Sequence, residues 1–409
     1  MRILFLTTQL PYPPISGGVI KSWRLVEHWY NTAQVKVICP LKTSDVDHVK
    51  DLRFKLPGLE LYCPFHDRPR NPFNLFKSYF LSPTLNAYRN KNSAIQEKVR
   101  DWSTECDIIF VDHYEMGQYI PHQCQAKVVL HEHNAEFIMW QRMAEIEKNP
   151  LIKLILMIEA FRIKKAELRF AKLSDLILAA PNDLDELKKI GVDAYKCQPT
   201  YHLGDDFMLK YSDIQFDQTE EALLFIGTLT WEANIDGLLW FLSKVWPLLL
   251  KKLPNLKFYI VGKNPDKRIV KSVSGFPNII LTGFVEDLEP YYQKSRVFVI
   301  PLRFGSGIKV KLLNALYRGI PSVTTAIGIE GLQIEKGKHL FSTENPAEHA
   351  HAVLTLMQQK GIWENMRDAA RNKARYYTYD HLLAKHDEEL AKLIFPSGDV
   401  EEESTRAAV

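Results

Sequence analysis

The sequence predicts an α/β protein made of two doubly wound halves, each a parallel sheet covered by helices. Short apolar runs alternate with amphipathic helical patterns along the chain, which is typical of strands joined by crossover helices. A polar stretch with little periodicity, residues 197–221, interrupts this alternation, which then restarts. The length of 409 residues also suits two or three domains.

The first half contains five apolar runs of strand length, with helical patterns between them. The predicted strands are 3–8, 35–39, 107–112, 127–132 and 175–180. The predicted helices are 18–30, 84–101, 134–148, 151–173 and 181–191. The last helix has Asn182 or Asp183 as its cap and ends at Gly191. We therefore predict an N-terminal domain over 1–200 and a linker over 201–221.

The second half repeats the plan. Its predicted strands are 222–227, 256–262, 278–283, 296–301 and 321–326, and its helices are 234–251, 286–294, 307–318, 346–374 and 379–393. This predicts a C-terminal domain over 222–375, a last helical segment over 376–395 that packs back on the N-terminal domain, and a disordered polar tail over 396–409. Ligands of doubly wound sheets bind at the carboxyl ends of the strands, so we expect the two domains to face each other across a cleft that holds the site.

Composition excludes several classes of protein. A formal net charge of +3 is too small to indicate a nucleic-acid partner. The five cysteines are odd in number and widely separated, which favours reduced thiols in a cytoplasmic protein. No Cys-x-x-Cys or His-Glu-x-x-His spacing is present, so no metal site is predicted.

The apolar stretch Leu151–Phe170 contains Lys153, Glu159 and Arg162 within ten residues, which indicates an amphipathic helix. Cations recur along this segment: Lys153, Arg162, Lys164, Lys165, Arg169 and Lys172. Two interpretations stay open. One is a solvated helix face over a core. The other is peripheral contact with an anionic membrane, at its inner face, which would favour a lipid-linked acceptor.

Three cations gather around a Gly-Ser-Gly loop at the start of the predicted helix 307–318. They are Arg303, Lys309 and Lys311. A helix start is already positive, and each misplaced cation costs roughly 0.3–1 kcal/mol there. Either Ser306 caps the helix and the lysines are solvated, or the loop amides of 305–307 and the cations bind a diphosphate.

Two common nucleotide-binding motifs are absent from the sequence, and their absence limits the kinds of diphosphate ligand to consider. The dinucleotide fingerprint needs a third glycine where this chain has Val310, and the Gly-x-x-x-x-Gly-Lys-Ser/Thr phosphate loop is absent. Hydride transfer and nucleotide triphosphate hydrolysis therefore lose support. A nucleotide diphosphate attached to another group remains.

The first half has two candidate features of its own. Gly17 and Gly18 follow the first strand and open a helix, either as a plain tight turn or to bring the backbone close to a ligand. The run His131, Glu132, His133 and Asn134 ends a strand. A single histidine there would more often be structural, but this cluster at a carboxyl strand end favours an active-site role for one of them.

These motifs together resemble the retaining glycosyltransferases of family four, also called group 1. The resemblance is strongest over 222–332, in "LLFIGTLTWEANIDGLLWFL", "LKFYIVG", "IILTGFVEDLEPYY" and "PLRFGSGIKVKLLNALYRGIPSVTTAIGIEGL", and extends to "PYPPISGG" and "HEHNAE". It implies the GT-B fold with two Rossmann-like domains, a nucleotide-sugar donor bound by the second domain, and an acceptor bound by the first. It also implies transfer with retention of configuration, without a metal or other cofactor, in polysaccharide biosynthesis.

The resemblance implies a set of site residues. The donor-binding residues are Gly18, Gly227, Thr228, Arg303, Ser306, Gly307, Lys309, Asn314 and Glu330, and the catalytic residues are His131 and His133, with His131 preferred. Ser306 and Asn314 stand where many members have two glutamates, and Thr228 and Asn234 stand near the usual places of an arginine and a lysine. Arg303, Lys309 and Lys311 are the cations available to replace these two.

Two alternatives to a glycosyltransferase follow from the same resemblance. One is a sugar-nucleotide epimerase or a phosphorylase of the same fold, although no stretch indicates a pyridoxal phosphate lysine. The other is a degenerate, non-catalytic subunit that binds nucleotide or a partner enzyme, which the Ser306 and Asn314 substitutions motivate. The acceptor is a glycan, a lipid-linked glycan or a small molecule.

Overall fold

The computed structural model describes residues 1–15, 17–121, 123–201, 203–305 and 307–395. The chain divides into two compact units. Unit 1 takes the described residues within Met1–His202 and Asp380–Val409, and unit 2 takes those within Leu203–Tyr379. No helix in the described ranges is both long and apolar enough to cross a lipid bilayer.

Unit 1 is built on a seven-stranded parallel sheet. Its strands are β1 (Arg2–Leu6), β2 (Gln34–Ile38), β3 (Glu60–Tyr62), β4 (Ile108–Asp112), β5 (Lys127–His131), β6 (Leu176–Ala179) and β7 (Cys197–Pro199). They lie in the order β3-β2-β1-β4-β5-β6-β7, and every neighbouring pair is parallel. All five predicted strands are present, and the short outer strands β3 and β7 are additional.

Eight helices connect these strands in the described part of unit 1. They are α1 (Gly17–Thr32), α2 (His48–Lys55), α3 (Pro72–Leu81), α4 (Leu85–Arg89), α5 (Ser93–Trp102), α6 (Glu136–Ile146), α7 (Pro150–Leu173) and α8 (Pro181–Lys189). The single helix predicted over 84–101 is wrong. Thr84 caps α4 and Asn92 caps α5, and each side chain accepts a backbone N–H that would otherwise lack a partner.

Aromatic side chains in the core of unit 1 pack β1 and β4 against α1. The rings of Phe5 and Phe110 stack at 5.3 Å between centroids, and Trp29 of α1 meets Phe110 edge-on at 4.8 Å. All three side chains are fully buried, and burying a side chain of this kind stabilises the fold by about 1.5–3 kcal/mol. This packing fixes the carboxyl ends of β1 and β4 relative to α1.

Unit 2 contains a second parallel sheet of six strands. They are β8 (Glu220–Ile226), β9 (Lys257–Val261), β10 (Ile279–Gly283), β11 (Ser295–Ile300), β12 (Ser322–Thr324) and β13 (Phe341–Ser342), in the order β10-β9-β8-β11-β12-β13. Its helices are α9 (Glu232–Trp240), α10 (Trp246–Leu250), α11 (Lys267–Val273), α12 (Glu289–Lys294), α13 (Val310–Arg318), α14 (Pro346–Gln358) and α15 (Lys360–Ala374). The two sheets with their helices confirm the predicted α/β class.

The predicted linker over 201–221 is corrected by the structure, because most of it belongs to unit 2. The guanidinium of Arg371 donates to the carbonyls of Leu209 and Tyr211 at 2.7 and 3.0 Å. Asn314 bonds to Asp205 in the same segment. A polar, aperiodic stretch can pack against a domain when side chains of that domain satisfy its backbone.

The last helix, α16 (Tyr379–Ile394), lies almost wholly in unit 1. Its His386 is 2.9 Å from the Thr200 hydroxyl, and its Asp387 accepts a hydrogen bond from the Trp29 indole at 2.9 Å. The predicted disordered tail, 396–409, lies outside the described residues.

Candidate functional site

Asp112 is the centre of a buried polar cluster at the carboxyl end of the unit 1 sheet. It ends β4 and is paired in register with His131, the last residue of β5. One carboxylate oxygen accepts from the hydroxyls of Thr7 at 2.9 Å and Ser22 at 2.6 Å. The other lies 2.7 Å from both His131 Nδ1 and His133 Nε2. All four acceptor positions of the carboxylate are therefore used.

The charges of this cluster fix its hydrogen-bond directions. Burial acts to raise the pKa of Asp112, but His133, His113 and the imidazole hydrogen bonds hold that pKa well below its usual range. Burial lowers the pKa of His131 to about 3 and that of His133 to about 4. Near neutral pH an ionised carboxylate thus faces neutral imidazoles. Each imidazole must donate to Asp112 through the nitrogen that contacts it.

The two histidines differ in what else they contact. His131 is fully buried in the sheet, its carbonyl accepts from His113 N at 2.9 Å, and its Nε2 has no hydrogen-bond partner among the described residues. His133 lies against the glycine loop, since a Cβ placed on Gly18 would be 3.4 Å from His133 Nδ1. The structure therefore brings His133 next to Gly18 and buries His131 completely, and which of the two histidines contacts a ligand stays a prediction.

Lys21 is a residue of this region that the sequence did not single out. It lies one turn into α1, is buried, and makes no hydrogen bond within the described parts of the chain. Burial lowers its pKa to about 7, although Asp112 and Asp183 act in the opposite direction. Its charge in turn lowers the pKa of His131.

The same cluster has a spacing that could hold a metal ion. Ligand atoms of Asp112, His113 and His133 lie within 4.8 Å of one another. The oxygens of Asp112 are already fully used by two hydroxyls and two imidazoles, as described above. We therefore assign these residues to a hydrogen-bond network.

Lys311 is the central cation of the unit 2 site. Its Nζ donates to the Asn234 side-chain oxygen at 2.7 Å and lies 4.4 Å from the centre of the Phe225 ring. A Cβ on Gly227 would be only 2.7 Å from this Nζ, so glycine is needed there for the amine to approach the end of β8. Burial, followed by the charge of Lys309, lowers the pKa of Lys311 to about 7.

The two other cations of the loop already have carboxylate partners. Arg303 forms a bidentate pair with Asp236 of α9, at 2.8 and 2.5 Å. Lys309 is buried, donates to the Gly307 carbonyl, and has Glu330 at 3.5 Å. Among the described residues, Lys311 has no carboxylate within 4.0 Å.

Lys309 also precedes the helix and does not lie in its first turn. Helix α13 begins at Val310, because Gly307 has a φ of 71° and Lys309 is extended with a φ of −90° and a ψ of 93°. The predicted start at residue 307 is therefore wrong. Lys311 is the cation of the first helical turn.

The remaining residues predicted to bind the donor differ in their exposure and in their contacts. The side-chain oxygen of Asn314 accepts from Asp205 N at 2.8 Å, and its side-chain nitrogen donates to the Asp205 carboxylate at 3.1 Å. In this structure Asn314 therefore anchors the 203–211 segment. Thr228 is exposed at the end of β8, and its carbonyl accepts from Asn234 at 2.9 Å. Ser306 lies outside the described residues.

Comparison with known sequences gives a family match that lies within unit 2. Residues 220–359 match the model of a family described as glycosyl transferases group 1. A Klebsiella pneumoniae protein named "Uncharacterized 44.6 kDa protein in cps region" is 27% identical over 363 residues, which cover 86% of this chain and 90% of that protein. An uncharacterized glycosyltransferase of Haemophilus influenzae is 23% identical over 170 residues, 40% of this chain and 47% of that protein.

Solved structures show the same fold. Alr3699/HepE of Anabaena, in complex with UDP, has a TM-score of 0.64 at 12% identity, over 96% of this chain and 100% of that chain. TarM of S. aureus has a TM-score of 0.63 at 13% identity, over 95% of this chain and 100% of that chain. These likenesses show that the chain has the GT-B class of fold, with two Rossmann-like units.

Proposed function

We propose that this protein is a glycosyltransferase that takes a sugar from a nucleotide-diphosphate donor. The observation that carries the proposal is Lys311, a partly buried cation without a carboxylate partner among the described residues, held at the carboxyl end of β8 beside Gly227. A diphosphate is the ligand that such a cation and a Gly-rich loop at a helix start would bind together. The group 1 family match over 220–359 supports the same assignment.

In this proposal unit 2 binds the donor and unit 1 contributes to the sugar and the acceptor. Lys311 and the loop around Gly307 hold the diphosphate, and Lys309 with Glu330 shapes the loop that carries it. Arg303 donates to Asp236 through Nε and Nη2, so in this position its remaining N–H groups are the ones that could contact a ligand. His133 contacts the transferred sugar, and Asp112, with His131 behind it, fixes the orientation of the His133 ring.

The proposed reaction is transfer with retention of configuration and without a metal or other cofactor. The acceptor hydroxyl forms the new glycosidic bond as the bond from the sugar to the diphosphate breaks, and the leaving diphosphate takes the hydroxyl proton. Lys311 would then stabilise the charge that develops on the leaving oxygen. With Nε2–H donated to Asp112, Nδ1 is the acceptor nitrogen of the neutral His133 ring.

The acceptor is proposed to be a glycan or a lipid-linked glycan, within polysaccharide biosynthesis and on the cytoplasmic side. The relative from the cps region of Klebsiella pneumoniae supports the biosynthetic setting. The Anabaena relative of similar fold was solved with UDP and with UDP-glucose, so UDP-sugars are the first donors to test.

The test is a thermal-shift screen with UDP, GDP, dTDP and ADP, followed by NMR of the matching nucleotide-sugar with and without acceptor extract. A stabilising nucleotide and a product that keeps the donor's anomeric configuration are expected. Absence of any nucleotide binding would reject the proposal. A product of inverted configuration would reject retention alone.

One observation favours a second candidate, a non-catalytic subunit that binds nucleotide. Asn314 and Arg303, both predicted to contact the donor, are occupied by Asp205 and Asp236 in the structure. The two candidates differ in one result, because a non-catalytic subunit would bind nucleotide but neither hydrolyse nor transfer the sugar.

A further inference from the structure

We propose that α3 and the first half of α7 form a docking surface for an anionic lipid bilayer. This α3–α7 surface consists of the exposed side chains of residues 72–81 and 150–165. The inference rests on these two helices and not on the proposed chemistry.

The α3–α7 surface exposes many large apolar side chains. Twelve large apolar side chains on it are exposed, with fractions from 39% for Tyr79 to 75% for Phe80. In α3 they include Phe73 and Phe76, and in α7 they include Leu151 and Leu154. Single exposed apolar residues are ordinary, but a group of this size on two helices that contact each other indicates an interaction site. The first half of α7 therefore exposes apolar side chains, and the interpretation as peripheral contact with a membrane is the one that we pursue for it.

Direct contacts join the two helices into one surface. Arg162 of α7 donates to the hydroxyl and the carbonyl of Ser78 in α3 at 3.1 and 2.7 Å, and its guanidinium lies 4.3 Å from the Tyr79 ring centre. Glu159 is fully buried, pairs with Arg162 at 2.5 Å, and accepts from Leu85 N at 2.6 Å. This buried pair holds the helices together from below.

The apolar side chains of α7 lie on two faces, one packed on the core of unit 1 and one exposed. Ala160, Ile163 and Ala166 pack inward and belong to the core cluster. Leu151, Leu154, Ile155 and Ile158, at helical spacing, are exposed. The side chains of α7 that pack in the core are thus already buried. The exposed apolar side chains on its other face can contact a partner.

The charge of the α3–α7 surface identifies the partner. Glu159 is the only carboxylate in residues 72–81 and 150–165, and Arg162 neutralises it. Lys77, Lys153 and Lys165 are exposed and Lys164 is partly exposed, so four cations lie among the apolar side chains of these two segments. Helices with this combination bind at the interface of anionic bilayers. A second copy of the same surface would instead bring like charges together.

The experiment is co-sedimentation of the full chain with vesicles of phosphatidylcholine, with and without phosphatidylglycerol. Binding is expected to the anionic vesicles, to weaken with salt, and to be slight on neutral vesicles. The double variant Ile155→Ser with Ile158→Ser should lower the partition coefficient by about tenfold or more. Lys153→Glu with Lys165→Glu should lower it by roughly fivefold per residue.

Matched controls lie on α2 of the same unit. Phe54→Ser removes a ring that is 83% exposed, and Lys50→Glu with Lys55→Glu reverses two exposed charges. These variants should leave vesicle binding within twofold, and circular dichroism verifies that every variant is folded. Absence of binding to anionic vesicles would overturn the proposal. Equal binding to neutral ones, or a dimer that Ile155→Ser dissociates without changing vesicle affinity, would overturn it too.

Discussion

At the scale of single residues, the three cations around the Gly-rich loop differ in what neutralises them. Asp236 binds Arg303 and Glu330 lies beside Lys309, whereas the amide oxygen of Asn234 and the Phe225 ring are the contacts of Lys311. A buried cation without a carboxylate loses its proton easily. A bound diphosphate would reverse this, so Lys311 is the cation whose presence a ligand explains best.

The lowered pKa of Lys311 gives a pH-dependent prediction. The free amine has a pKa of about 7, and a bound anion raises it, so above pH 7 the complex holds a proton that the free protein lacks. UDP affinity should therefore fall as the pH rises from 7 to 9, and binding at pH 8 should take up close to one proton. Calorimetry at pH 8 in HEPES and in Tris measures this uptake.

Lys311→Arg is the matched control for proton uptake, because arginine stays charged throughout this range. It should bind UDP without taking up a proton. An uptake that is unchanged in Lys311→Arg would assign the proton to another group.

The proposed role of the unit 1 cluster is tested by substituting His133. His133→Ala should lower turnover by about 10²-fold, because the contact with the sugar is lost, while UDP affinity stays within twofold. His131→Ala should act more weakly if His131 only positions Asp112. The control is His48→Ala, which changes a partly exposed histidine at the start of α2. Steady-state kinetics decide, and a His133→Ala enzyme with normal turnover would contradict the role.

Sequence reasoning singled out the histidines and glycines of the candidate site but not the residues that contact them. His131, His133 and Gly18 were recognisable from local motifs. Asp112 was missed as a partner because it meets the histidines only through the register of β4 with β5. Lys21 was missed because the burial of a lysine arises from tertiary packing, which a local sequence pattern does not show.

At the scale of elements, the loop after β8 and the start of α13 act together. Gly227→Ala should displace the Lys311 amine, which lies 2.7 Å from the position of the new Cβ. The amine is the end of a flexible side chain, so the fold should survive and the UDP affinity should fall by about tenfold, as for loss of a charge-assisted hydrogen bond. Calorimetry with UDP measures the affinity.

Gly275→Ala is the control for this substitution, because a Cβ there has no atom within 4 Å. Its UDP affinity and melting temperature should match the wild type. Equal UDP affinity in Gly227→Ala and the wild type would show that the placement of Lys311 does not matter for binding.

The predicted boundaries of helices were wrong where a glycine or a capping residue ended or delayed the helix despite a continuing apolar pattern. The apolar stripe of α13 predicted a start at 307, but the left-handed φ of Gly307 delays the helix to Val310. The helix over 84–101 broke at Asn92, whose side chain caps α5. The three-residue strands β3 and β7 were missed because so short a run has no detectable alternation.

At the scale of the whole molecule, the alternation of strands and helices was sufficient to predict the fold class and the two halves. The linker was not predictable, because its polar composition gives no sign that Arg371 and Asn314 bind it to unit 2. Composition alone also could not separate a core face from an exposed one in α7, since apolar residues lie on both faces of that helix, as the buried Ile163 and the exposed Ile158 show.

The proposed chemistry predicts insensitivity to chelators. Lys311 and the loop amides would neutralise the diphosphate, and Asp112 has no acceptor position left for an ion. Sugar transfer in excess EDTA should equal that of the untreated protein within twofold. Activity that EDTA abolishes and Mg²⁺ or Mn²⁺ restores would contradict a metal-independent reaction.

The central claim is that Lys311 holds the diphosphate of a nucleotide-sugar donor, and its most direct test is calorimetric titration of UDP into the wild type and Lys311→Met at pH 7. The account predicts one UDP per chain for the wild type and an affinity at least about tenfold lower for the variant. Lys251→Met, which removes an exposed lysine elsewhere in unit 2, should bind like the wild type. Equal UDP affinities for the wild type and Lys311→Met would contradict the claim.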